Sequence, residues 1–234
     1  APFLLSHEHF MEAAGLRSGG LENLFTQGVM DFFDFKHCKE IQDVPMKKEW
    51  DIAGVIVRQF PSTGHSAGLP CFEILSKEHP EIGIFHSTDL GFDHFGPWWG
   101  FPNCNLDDYY KSIDRARKLS RDKQILVSSH APPIYKDFDA QYDRLLGKID
   151  RKMQRTLKLI EKYPEGFKAI YANDHELIFR KNRVLQEIIK IYEYWEVWMT
   201  ELMCMNLVDQ GKLVYKKKLT APPEYPQNEY ILAR

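Results

Sequence analysis

Short apolar runs that stop abruptly in polar turns fill the first half of the chain. Phe3-Leu4-Leu5-Ser6 is the first, patterned like a buried strand. Residues 12–25 read as a helix interrupted by Gly15, Gly19 and Gly20, and residues 29–35 as a strand. Val55-Ile56-Val57 is a further strand, preceded by the turn-like Asp51-Ile52-Ala53-Gly54 and broken by Pro61-Ser62-Thr63-Gly64. Residues 71–75 and 82–85 predict an antiparallel pair around the polar link 76–81. Residues 106–119 predict a helix, capped by Asn105 or Asp107, with Tyr109, Ile113, Ala116 and Leu119 on one face. Ile125-Leu126-Val127 is a buried strand that Ser128-Ser129-His130 stops.

The pattern then changes period. Leu145, Ile149, Met153, Leu157 and Ile160 recur at helical spacing up to Tyr163-Pro164. A second long amphipathic helix is expected from about Val184 to Leu207, ended by Gly211. Leu213-Val214-Tyr215 is a short strand before a Pro-rich tail. The expected organisation is a mixed α/β core over residues 1–140 and a helical C-terminal region over 141–234.

Composition narrows the classes open to such a chain. Of 234 residues, 44% are hydrophobic and 27% charged, which suits a folded core rather than a disordered chain. A net charge of −2 gives no field that would draw the whole protein to nucleic acid or an anionic membrane. No apolar run approaches the ~20 residues of a membrane span. Cys38, Cys71, Cys104 and Cys204 are far apart and form no CxxC pair, so they read as free thiols in a reducing, cytoplasmic setting.

Four strand-like segments end in turns that bear His or Asp: Ser6-His7-Glu8-His9, Gly64-His65, Thr88-Asp89 and Ser129-His130. Strand ends are where side chains converge on one point from a rigid sheet. Imidazole and carboxylate are the ligands that zinc, manganese or iron accept. In His7-Glu8-His9 the two rings are two apart, so an extended backbone puts both on one face.

These segments resemble the metallo-β-lactamase superfamily. Ser6-His7-Glu8-His9-Phe10-Met11-Glu12-Ala13-Ala14-Gly15-Leu16 is similar to its [ST]HxHxDHxxGL signature. Pro61-Ser62-Thr63-Gly64-His65-Ser66-Ala67-Gly68 is similar to PGHTxG, and Ser87-Thr88-Asp89 to the strand ending in SGD. Ser128-Ser129-His130-Ala131-Pro132 is similar to the PGHGP turn, and Asp108-Tyr109-Tyr110-Lys111-Ser112-Ile113 to the helix between the last two motifs. The motifs occur in the family's order, over about residues 3–135.

The resemblance implies an αββα sandwich and a metal-dependent hydrolase. His7, His9 and His65 would hold a first ion, Asp89 would bridge to a second, and His130 would complete that second site. The implied cofactor is one or two zinc ions, with iron or manganese as the other candidates. A metal-activated water would attack a small-molecule ester: a thioester, a phosphoester or a lactone. Asp89 and Glu12 are the candidate catalytic carboxylates.

Two departures from the family pattern bear on activity. Met11-Glu12 stands where the family has Asp-His, and a thioether neither holds a metal nor orients a water. Glu12 offers an oxygen ligand in place of the lost histidine, so one ion beside a weakened second position is expected. A non-catalytic scaffold of this fold and a di-iron redox protein are the alternatives. The family also carries about fifty residues of strands before its first motif, which here begins at Ser6. Either that part was removed or is missing from this sequence, or a separate N-terminal chain or a homo-oligomer is expected to complete the sheet.

The remaining candidates keep two readings. Phe92, Trp98 and Trp99 follow Asp89 and are either core or the wall of a substrate pocket. Tyr192, Trp195, Trp198 and Met199 recur at helical spacing and are expected to dock the last helix on the core or on a partner subunit. His86 and His94 are structural or substrate-facing, His37, His79 and His175 are surface residues, and Lys216-Lys217-Lys218 is a solvated strand end.

Overall fold

The computed structural model describes residues 49–100, 103–174, 186–219 and 228–233, with the side chains of 173, 174 and 186–194 excepted. The expected elements at 3–5, 12–25 and 29–35 lie outside the described residues, as do His7, His9, Met11 and Glu12.

A five-stranded sheet carries the first half, in the order β1 (Glu49–Ile52), β2 (Val55–Pro61), β3 (Pro70–Ser76), β4 (Gly83–His86) and β5 (Ile125–Val127). β1 to β4 are antiparallel neighbours, and β5 joins β4 in parallel. The expected pair at 71–75 and 82–85 forms, with Ile74 opposite Ile84. β1 was not expected, because residues 51–54 read as a turn. The turn needs only Ala53 and Gly54, at φ 50° and 83°. Two consecutive positive φ values mark a tight hairpin turn whose twist matches its strands. Asp51 and Ile52 are thereby left to pair with Ile56 and Val55.

The β4–β5 crossover is helix α1 (Leu106–Ser120). Asn105 caps it, its side chain accepting from the Asp108 amide at 3.0 Å. Asp107 and Asp108 sit in the first turn, Arg117 and Lys118 in the last, as the helix dipole favours. Tyr109, Ile113 and Ala116 are fully buried against the sheet, while Leu119 is half-buried.

Helix α2 (Phe138–Ile160) starts before the periodic run that announces it. Arg117 binds Asp139 at 2.5 Å and Asp143 at 2.7 Å, which ties its first turn to α1. Inside, the Ser120 and Tyr142 hydroxyls meet at 3.0 Å. A 3₁₀ segment (Ala169–Asp174) leads towards helix α3 (Gln186–Asp209), and β6 (Leu213–Lys217) pairs antiparallel with β7 (Glu229–Leu232).

α3 departs from the amphipathic expectation. Val197, Trp198, Thr200, Glu201, Met203, Cys204, Asn206 and Leu207 are all buried, on several sides of the helix. Such a helix is an interior element and must satisfy its polar side chains from neighbours. Asn206 donates to Asp107 of α1 at 2.6 Å, and Glu201 accepts from the Tyr230 hydroxyl of β7 at 2.6 Å. Phe85, Leu126, Ile113, Ile149, Met203 and Leu207 belong to one continuous core, so the helical second half shares its interior with the sheet. Among the described residues no helix is long and apolar enough to cross a membrane.

Candidate metal centre

Topology gathers three of the expected ligands. β2 runs antiparallel to β3 and β3 to β4, so β2 and β4 point the same way, and β5 is parallel to β4. The C-terminal ends of β2, β4 and β5 therefore share one edge of the sheet. His65, Asp89 and His130 lie in the loops leaving those three ends.

The loop that carries His65 is held by backbone contacts to α1 and to the Trp98 carbonyl. Gly64 has φ +117° and lies so close to α1 that a Cβ there would sit 2.4 Å from the Tyr109 Cα. Its carbonyl accepts from the Asn105 amide at 3.0 Å, and the Thr63 carbonyl accepts from the Ser112 hydroxyl at 2.7 Å. The His65 Nδ1 is 2.9 Å from the Trp98 carbonyl. A carbonyl only accepts, so Nδ1 carries the hydrogen and Nε2 keeps its lone pair. This is the arrangement by which an outer carbonyl orients a metal-binding imidazole. Burial pushes the His65 pKa down, opposed by the Asp89 carboxylate and the hydrogen bond to Trp98. His130 adds to the lowering, so the neutral ring is favoured.

Asp89 and His130 face each other, with His130 Nε2 3.5 Å from Asp89 Oδ1. Asp89 is one-third exposed (33%), and the His130 side chain is open to solvent. Their loops are held in the left-handed region without glycine: Thr88 has φ 52° and His130 φ 63°. Such residues cost about 1–3 kcal/mol each and persist where their surroundings fix them. Here the Thr88 hydroxyl donates to the Pro70 carbonyl at 2.7 Å. The Thr88 carbonyl accepts from the Ser128 hydroxyl at 2.8 Å and the Ser129 amide at 3.0 Å. The Ser87 amide donates to the Val127 carbonyl at 2.8 Å. The loops of Asp89 and His130 are thus stitched together by hydrogen bonds next to these side chains. His86, at the end of β4, also feels the Asp89 charge, but burial dominates and lowers its pKa.

The aromatic loop after Asp89 divides between the two readings. The Trp98 ring lies against His65, centroids 5.1 Å apart, and meets Trp195 of α3 edge-on at 5.3 Å. Trp99 is 1% exposed, and its indole N–H donates to the Met199 carbonyl at 2.9 Å. It is a core residue, because a buried indole requires an acceptor and α3 supplies it. Phe92 is half-buried and packs edge-on against Tyr142 at 5.0 Å. Sequence reasoning missed Trp195 as the partner of Trp98. It also missed Thr88 and Ser128 as the clamps of the site, although Ser-Thr and Ser-Ser before the two ligands were visible cues.

His65, Asp89 and His130 offer two imidazoles and a carboxylate, a donor set that zinc accepts. Among the described residues no group of three His, Cys, Asp or Glu side chains is gathered tightly enough to hold an ion unaided. His7, His9 and Glu12, the other expected ligands, lie outside the described residues.

The chain has the metallo-β-lactamase fold. It superposes with a TM-score of 0.62 on a metallo-β-lactamase family protein from Thermus thermophilus, at 15% identity, covering 97% of this chain and 70% of that one. A β-lactamase domain protein from Burkholderia ambifaria matches with a TM-score of 0.61 and 15% identity, over 97% of this chain and 63% of that chain. The chain therefore spans under two-thirds of the second structure's length. No protein-family model matches the sequence, and no curated protein matches it.

Proposed function

We propose that the protein is a metal-dependent hydrolase of the metallo-β-lactamase type, acting on a small-molecule ester. The observation that carries this reading is the convergence of His65, Asp89 and His130 on one edge of the sheet. Zinc is the ion that best suits these donors, with iron or manganese as alternatives. His65 would bind through Nε2, since Nδ1 is committed to the Trp98 carbonyl. Asp89 would contribute a carboxylate oxygen and His130 the nitrogen that now faces it. When bound, the ion supplies Lewis acidity and a water acidified toward neutral pH. Trp98 shields one side of His65 from solvent and would offer an apolar surface to the acyl or leaving group of the substrate.

The test is turnover of thioester, phosphodiester and lactone substrates before and after chelation, beside an Asp89→Asn variant. The reading expects hydrolysis that chelation abolishes, zinc restores and Asp89→Asn lacks. Turnover indifferent to chelation would overturn it. No turnover with any metal, combined with turnover by a Met11→Asp, Glu12→His variant, would make the native chain a non-catalytic binding protein.

A further inference from the structure

Helix α3 reaches the candidate metal centre through two consecutive side chains. The Trp98 ring meets Trp195 edge-on, with centroids 5.3 Å apart and an interplanar angle of 87°. The Trp99 indole N–H donates to the Met199 carbonyl at 2.9 Å. Trp195 and Met199 are four apart, so they lie one turn from each other on one side of α3. The carbonyl between the two anchored rings is that of Trp98, and it accepts from His65 Nδ1 at 2.9 Å. Trp98 touches His65 a second time with its ring, at 5.1 Å and an interplanar angle of 51°.

The Trp98 ring has little room to move. A Cβ on Gly100 would sit 2.8 Å from Trp98 Cζ2 and 2.9 Å from Trp195 Cβ, well inside a carbon–carbon contact of about 3.5–4.0 Å. The indole is therefore packed among the His65 ring, the Trp195 ring and the Gly100 backbone. Packing of this kind fixes a rotamer. It matters for His65 because the hydrogen bond at one ring nitrogen decides which nitrogen carries the proton. Without the Trp98 carbonyl, neither neutral tautomer is imposed, and Nε2 carries the proton part of the time.

We propose that Trp195 is a positioning residue for His65: by packing on the Trp98 indole it holds the Trp98 carbonyl at Nδ1 and keeps the Nε2 lone pair available. The proposal rests on the metal-centre reading for what Nε2 binds, but the tautomer is measurable without metal.

The test is nitrogen–proton correlation spectroscopy of the histidine rings in the full metal-free chain at pH 8, with the His65 signals assigned by their loss in His65→Gln. The native chain is expected to show His65 as the Nδ1–H tautomer, and Trp195→Ala a mixture. Zinc affinity should fall with it, by about the 10–100-fold that outer-shell changes cost. Trp195→Phe keeps an aromatic edge and should restore both. Melting temperatures check folding; if Trp195→Ala does not fold, Gly100→Ala carries the test, because its Cβ would push the two rings apart. Trp99→Phe is the control, expected to lower stability and leave the His65 signals in place. A native Nε2–H tautomer would overturn the proposal. So would folded Trp195→Ala or Gly100→Ala protein with native His65 signals, or a Trp99→Phe protein whose His65 signals move as far, since general loosening would then be the cause. A tautomer that responds as expected in a chain that binds no zinc, iron or manganese would support the positioning role and sink the metal reading.

Discussion

A single carbonyl determines which nitrogen His65 has to offer. With Nδ1 held by Trp98 at 2.9 Å, only Nε2 is left for a ligand bond. His65→Gln should therefore weaken zinc affinity by more than the ~10–100-fold that outer-shell changes cost, measured by competition with a chromophoric chelator. Unchanged affinity would remove His65 from the ligand set. Glu201 makes a different prediction. It is 1% exposed, with Oε1 bonded to the Tyr230 hydroxyl and the Asn228 amide. Its Oε2 has no hydrogen-bond partner among the described residues. Burial raises its pKa above the ordinary value of 4.5. The folded state then holds its proton more tightly than the unfolded one, so the stability it contributes is present at and below pH 4.5 and lost as pH rises through the folded pKa. Glu201→Gln should flatten that loss and leave the protein more stable at pH 8 by about 1 kcal/mol, the scale of an unmatched buried acceptor. Urea titrations at pH 5 and pH 8 measure it; a variant less stable than the native chain at pH 8 would contradict the assignment.

At the scale of elements, the site depends on how closely the β2–β3 loop rests on α1. Gly64→Ala would place a Cβ 2.4 Å from backbone atoms of Tyr109 at a φ that side chains rarely adopt. Helix backbone does not yield, so a loss of more than about 2 kcal/mol is expected, together with weaker metal binding. Trp99→Phe removes the bond to Met199 and part of a buried ring, and should cost about 1–3 kcal/mol by urea unfolding without changing metal affinity. A Trp99→Phe protein with native stability would place that residue outside the core. These elements differ in how far the sequence announced them. β2 to β5 and α1 follow local rules, an apolar run with a stop or a capped apolar stripe, and they appear close to where the pattern puts them. β1 stayed hidden because a two-residue turn looks like a four-residue one until the pairing is known. The burial of α3 and the division of labour between Trp98 and Trp99 stayed hidden too. Both are decided by contacts such as Trp99 to Met199, which lie a hundred positions apart in the chain.

At the scale of the whole molecule, the candidate metal ligands are spread over a sequence whose order only the sheet brings together. His65, Asp89 and His130 come from three strands pointing one way, and the shared edge follows from the pairing directions alone. Their residue types and turn positions were legible in the sequence; the clamps that hold Thr88 and His130 at positive φ were not, because those bonds run between loops. The three side chains are of types that zinc accepts, and the fold is that of the metallo-β-lactamases. The most direct measurement of that account is the metal content of the chain purified without chelator, by elemental analysis, next to His65→Gln and Asp89→Asn. The account predicts close to one equivalent of zinc, iron or manganese in the native protein and a marked loss in both variants. Less than about a tenth of an equivalent in the native protein, after incubation with each of the three metals, would contradict it.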